Sequence, residues 1–91
     1  MKNKFLISII NRLYSDFITN YGHEPNYVSC EVRYKDEITT FDTIISFKEY
    51  QEDEEDEHIF WYCYDIEEFI DLTSEDNDED FVILNVKEFF D

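Results

Sequence analysis

Residues 49–80 read EYQEDEEDEHIFWYCYDIEEFIDLTSEDNDED, and the reading of this stretch decides how the rest of the chain is understood. It holds sixteen Asp or Glu residues and no Lys or Arg. In its middle lies an apolar run, Ile59-Phe60-Trp61-Tyr62-Cys63-Tyr64, with carboxylate clusters on both sides at 49–57 and 75–80. His58 to Tyr64 is expected to be a strand. Because it is apolar or aromatic on both faces, it is expected to lie centrally or to be partly covered on both sides. Asp65-Ile66-Glu67-Glu68 has capping-box spacing with Asp as the cap, so a short helix should follow. Ile66, Phe69, Ile70 and Leu72 would form its buried stripe, and Glu67, Glu68 and Asp71 would face out. Thr73 to Asp80 reads as an acidic loop. Residues 49–57, with seven acids in nine positions, read as a solvated loop or a charged hairpin tip.

Outward from this stretch the chain reads as a scaffold. Phe5, Leu6, Ile9, Ile10, Leu13, Phe17 and Tyr21 recur at spacings of three and four, which predicts an amphipathic helix over 3–21. Gly22 is its C-terminal stop, and Pro25 cannot continue it. From Tyr27 to Tyr34 the chain alternates, with Val28, Cys30, Val32 and Tyr34 on one face and Ser29, Glu31 and Arg33 on the other. Lys35-Asp36-Glu37 is a polar turn. It leads to a second strand, Ile38 to Phe47, with Phe41, Thr43, Ile45 and Phe47 on one face. The two strands should form an antiparallel hairpin. Phe81 to Phe90 ends the chain as a strand, with Val82, Leu84 and Val86 opposing Phe81 and Ile83. The expected fold is α+β: one small domain over residues 1–91, order α-β-β-β-α-β, with a mainly antiparallel sheet packed by the N-terminal helix.

The charge is uneven. Residues 1–48 carry six acids and six bases, whereas residues 49–91 carry eighteen acids and one base, Lys87, which accounts for the whole net charge of −17. Two unit charges about 6 Å apart in water repel by roughly 0.7 kcal/mol. The acidic half therefore works against its own fold, less so where salt screens over about 8 Å. A small domain needs a net charge of only about 2–8 in magnitude to stay soluble. The excess would repel nucleic acid and anionic membrane and attract basic protein surfaces or cations. A hydrophobic share of 43% and an aromatic share of 19% are too high for a disordered acidic tail. The N-terminal apolar run, Phe5–Ile10, is too short for a membrane span or a signal segment. A cytoplasmic protein with Cys30 and Cys63 as reduced core thiols is expected.

Most chemistries find no motif here. The single Gly rules out a phosphate-cradling loop of the usual pattern, and no nucleophile elbow is present. A catalytic carboxylate needs a buried, perturbed site, whereas these acids lie in runs that must be exposed, so no catalytic residue and no cofactor is expected. The candidate zinc ligands His23, Cys30, His58 and Cys63 lack Cys-x-x-Cys spacing, and His58 and Cys63 would point to opposite faces of a strand. Asp76-Asn77-Asp78-Glu79-Asp80 begins like a calcium loop, but Phe81 stands where the turn needs Gly and Lys87 where the bidentate Glu belongs. Phe60, Trp61, Tyr62 and Tyr64 could stack bases, yet single-strand binders pair such aromatics with a basic groove. A core role is expected for them instead.

The acid itself reads either as a solvated face or as a mimic of a nucleic-acid backbone. With one charge per 1.7 Å of duplex axis, sixteen acids match roughly 27 Å of duplex, about eight base pairs. The residues that would form this surface are Glu49, Glu52, Asp53, Glu54, Glu55, Asp56, Glu57, Glu67, Glu68, Asp71, Glu75, Asp76, Asp78, Glu79 and Asp80. In size, charge and clustering of acids, mostly over residues 49–80, the chain resembles the small acidic DNA-mimic inhibitors of phages and mobile elements, such as anti-restriction and anti-CRISPR proteins. Those proteins share no sequence or fold, so the resemblance assigns no individual residue. It implies a binding protein without catalysis that occupies the nucleic-acid groove of a basic nuclease or effector. Such a protein would not bind nucleic acid or membrane directly. Two other readings stand beside it. One is an immunity- or antitoxin-type protein that neutralises one basic toxin through aromatic anchors beside the acid. The other is an acidic interaction domain of unassigned role. The expected state is a monomer, or a dimer through the non-acidic half, since like charges oppose pairing through the acid.

Overall fold

The computed structural model describes residues 4–34, 40–48, 60–74 and 81–91. The elements are α1 (Lys4–Tyr21), β1 (Tyr27–Tyr34), β2 (Thr40–Ser46), β3 (Phe60–Tyr62), α2 (Ile66–Ser74) and β4 (Phe81–Phe90). This is the expected order α-β-β-β-α-β, and the fold is α+β. The four strands form one sheet in the order β3-β2-β1-β4. β1 pairs antiparallel with both β2 and β4, while β2 and β3 run parallel, so the sheet is mixed with an antiparallel majority.

Local sequence accounts for most boundaries. Gly22 adopts a φ of +74° and its N–H donates to the Ile18 carbonyl at 2.8 Å, which closes α1 in the left-handed conformation that Gly tolerates best. In α1, Leu6, Ile10 and Phe17 are buried. Phe5 and Tyr21, assigned to the same apolar face from spacing, are 78% and 63% exposed. Phe5 points away from the core although its neighbour Leu6 is buried, and Tyr21, at the end of the helix, lies only against Phe17 and His23 among the described aromatic rings.

The hairpin pairs as its alternation requires, with Val28 opposite Ile45, Cys30 opposite Thr43 and Val32 opposite Phe41. Val28, Cys30 and Val32 are fully buried. The turn at 35–37 lies outside the described residues.

Two expectations for the later strands are corrected. β3 is an edge strand, not a central one. After it the chain runs through α2 to the opposite edge of the sheet, where β4 joins β1. Trp61 turns toward the core cluster, but Tyr62 is 43% and Tyr64 75% exposed, so the core role expected of these two aromatics is corrected. The second correction concerns β4, whose buried residues are Phe81, Ile83, Val86 and Phe89. Val86 does not share a face with Leu84. The register against β1 slips twice, from Glu88 to Val86 and from Asn85 to Ile83, leaving Lys87 and Leu84 as the extra residues of two irregularities. Each extra residue reverses the phase of the alternation. A smaller difference is that Thr73 and Ser74 belong to α2 and not to the loop after it.

Both helices lie on one face of the sheet. Phe69 of α2 is fully buried, edge-on to Phe47 at 5.9 Å and to Phe89 at 6.3 Å. A second aromatic cluster joins Tyr34, Phe41, Trp61 and Phe81, with Trp61 and Phe81 centroids 4.3 Å apart. Cys30 and Cys63 are free and buried. Burial pushes both thiols up to about 12; a charge on Cys63 adds to the effect at Cys30, and those of Glu68 and Asp65 add to it at Cys63.

Candidate partner-binding surface

The described part of the expected acidic surface lies on α2. Asp65 caps the helix, its Oδ1 accepting the Glu68 N–H at 2.9 Å. The Glu68 carboxylate reaches back and accepts the Tyr64 N–H at 2.8 Å. This is a capping box displaced by one residue, since the reciprocal bond falls on the residue before the cap. With Phe69 locked between Phe47 and Phe89, the rotation of the helix is set, and Glu67, Glu68 and Asp71 are all exposed. Glu68 thus holds the helix terminus as well as facing solvent. The other proposed surface residues, Glu49, Glu52, Asp53, Glu54, Glu55, Asp56, Glu57, Glu75, Asp76, Asp78, Glu79 and Asp80, lie outside the described residues, as do His58 and Tyr50. By chain connectivity they adjoin the start of β3, the end of α2 and the start of β4.

The bases sit elsewhere. Lys87, the only base of the second half, pairs with Asp42 of β2 at 2.6 Å on the sheet face away from the helices. Asp42, by hydrogen bond and charge, and Glu31, by charge, raise its pKa. Lys48 lies 5.2 Å from the centre of the Tyr27 ring, which in turn stacks on Phe90.

Beside the N-terminus of α2 the structure holds a cleft of about 150 Å3. Tyr14 of α1, Glu24 and Pro25 of the α1–β1 connection, Phe47 after β2, and Tyr64 and Asp65 before α2 line it. The Tyr14 hydroxyl donates to Glu24 Oε1 at 2.9 Å. Burial, followed by that bond and the charges of Glu24 and Asp65, pushes the Tyr14 hydroxyl up to about 12. Next to Glu24, His23 Nε2 lies 3.2 Å from Asp91 Oδ2, and the Asn26 side-chain amide donates to Asp91 Oδ1 at 3.1 Å.

Reading the sequence did not single out Tyr14, Glu24 or Asp91. Their partners are 10 and 65 residues away along the chain, and no local pattern marks such pairs. Among the described residues no group of three or more His, Cys, Asp or Glu side chains is arranged to hold a metal ion, and no helix is long and apolar enough to cross a membrane. No protein-family model, curated protein or solved structure matches the chain.

Proposed function

We propose that this chain is an acidic binding protein that presents phosphate-like charge to a basic nucleic-acid-binding protein, such as a nuclease or defence effector, and blocks it. The observation that supports the reading is the placement of α2. Its rotation is locked by Phe69, it exposes Glu67, Glu68 and Asp71, and the two acid runs attach through the chain on either side of it. Lys87, the one base of the acidic half, is engaged by Asp42 on the other side of the sheet. Such a surface attracts Lys- and Arg-rich grooves at long range and competes with their natural ligand.

The test is capture from a lysate of the chain's own host on the immobilised protein, at about 50 mM and about 500 mM salt, each with and without competing duplex DNA. The proposal expects a basic nucleic-acid-binding protein that is held at low salt and released by both high salt and DNA. Capture that DNA does not weaken contradicts it.

One observation favours a second reading. Tyr64 is 75% exposed beside Asp65, and an exposed aromatic next to acid is the anchor that an immunity- or antitoxin-type interface uses. That reading expects one specific partner that resists both salt and DNA.

A further inference from the structure

The cleft between α1 and the start of α2 gives the carboxylates of Glu24 and Asp65 walls. A run of carboxylates on a convex surface can attract a cation but gives it no fixed place. Here the exposed Glu24 and Asp65 line one recess together with buried Pro25, half-buried Phe47 and Tyr14, and the exposed Tyr64. Among the described residues, no Lys or Arg lines it. One oxygen of each carboxylate is committed internally: Glu24 Oε1 to the Tyr14 hydroxyl and Asp65 Oδ1 to the Glu68 N–H. Among the described residues, the second oxygen of each makes no hydrogen bond or ion pair. The positive end of α2 opposes a cation here, but it amounts to about half a charge against two carboxylates, and Asp65 already accepts one of its terminal N–H groups, that of Glu68. A cavity of about 150 Å3 can hold a benzene-sized molecule, and a guanidinium head is smaller.

We propose that this cleft receives the guanidinium group of a single arginine from the partner, between the carboxylates of Glu24 and Asp65 and against the Tyr64 ring. Arginine fits better than lysine. Its planar head stacks on an aromatic face while its N–H groups reach separate acceptors, whereas an ammonium is a compact, strongly hydrated point charge. The inference rests on the reading that the partner is basic. It adds to that reading a fixed docking point that diffuse charge does not supply, and with it a preference for one arginine of the partner's surface.

The test uses the full chain, isotope-labelled for NMR and titrated with N-acetyl-arginine amide or with the citrulline equivalent, which keeps the shape and loses the charge. The arginine probe is expected to shift the amides of Glu24, Tyr64 and Asp65 along a saturable curve, and the citrulline probe to leave them in place. The double substitution Glu24→Gln with Asp65→Asn should weaken binding about tenfold or more, since it removes both charged acceptors. Gln still accepts the Tyr14 hydroxyl and Asn caps a helix as well as Asp, so the fold is retained. Removing two exposed charges that do not line the cleft, by Asp16→Asn with Glu88→Gln, should change binding less than threefold, because exposed charges are screened by salt. Equal shifts from citrulline overturn the proposal, as does an equal loss of affinity in the two double variants. Either result leaves the acidic-mimic reading standing, because that reading is decided by release of the captured partner with salt and DNA. A saturable arginine site without such a partner would sustain the cleft and remove the mimic.

Discussion

Three weak acids in this chain are held neutral by burial. Tyr14, Cys30 and Cys63 are each pushed up to about 12, from ordinary values of 10.0 for the phenol and 9.0 for the thiols. The folded state therefore keeps protons that the unfolded state releases first. The stabilisation from these groups is complete below pH 9 and is lost as the pH rises toward 12. We expect the urea midpoint to fall between pH 8 and pH 10.5, and Tyr14→Phe to lessen the part of the fall above pH 10. A midpoint constant over that range would mean that the three groups are not buried as described. At pH 8, a thiol reagent should label neither cysteine in the folded protein and both in urea, because the buried thiols are protonated and enclosed. Fast labelling without denaturant would contradict their place in the core.

At the scale of elements, the cap of α2 and the irregular β4 are the parts open to substitution. Asp65→Ala removes the acceptor for the Glu68 N–H and is expected to destabilise the protein by about 1 kcal/mol, within the 0.5–2 kcal/mol typical of lost caps, while Asp65→Asn should change little. Denaturant unfolding of the two variants separates these outcomes. In β4, strict alternation would place Leu84 and Val86 on one face. The register slips put Val86 in the core and leave Leu84 40% exposed. Leu84→Asp should therefore be tolerated and Val86→Asp should unfold the protein, since an unpaired buried charge costs several kcal/mol. Equal effects from the two substitutions would argue for a regular strand.

These two elements also mark what the sequence made legible. The α2 cap could be read because its four residues act on one another within a single turn, and the β1–β2 pairing because strict alternation survives in both strands. The β4 irregularities were harder to read: the extra residue Leu84 leaves no mark in the wholly apolar run Phe81–Leu84, and Lys87 leaves only two adjacent polar residues, Lys87-Glu88. The edge position of β3 was hidden for a related reason. Apolar residues on both sides of a strand are equally compatible with two covered faces and with one covered face beside an exposed aromatic. Of the candidate surface, the outward face of α2 followed from periodicity, but the cleft joining Tyr14, Glu24 and Asp65 depends on tertiary contacts across the chain.

On the scale of the whole molecule, the dominant fact is a net charge of −17 carried by residues 49–91. A surface retained for binding should be a burden to the fold that carries it. Replacing Glu52, Asp53, Glu54, Glu55, Asp56 and Glu57 by their amides is expected to raise the thermal midpoint at low salt, because self-repulsion falls, and to weaken partner capture in the same variant. The gain should shrink at about 500 mM salt as screening shortens. A lower midpoint at low salt would instead mean that those acids have structural partners. The measurement that bears most directly on the central claim is competition. The captured partner is bound to labelled duplex DNA, this chain is titrated in, and the apparent affinity is followed from about 50 mM to about 300 mM salt. The mimic account predicts full displacement of DNA, with an affinity for this chain that falls steeply as salt rises. A complex in which the partner holds both DNA and this chain at once, with an affinity that salt hardly changes, would contradict it.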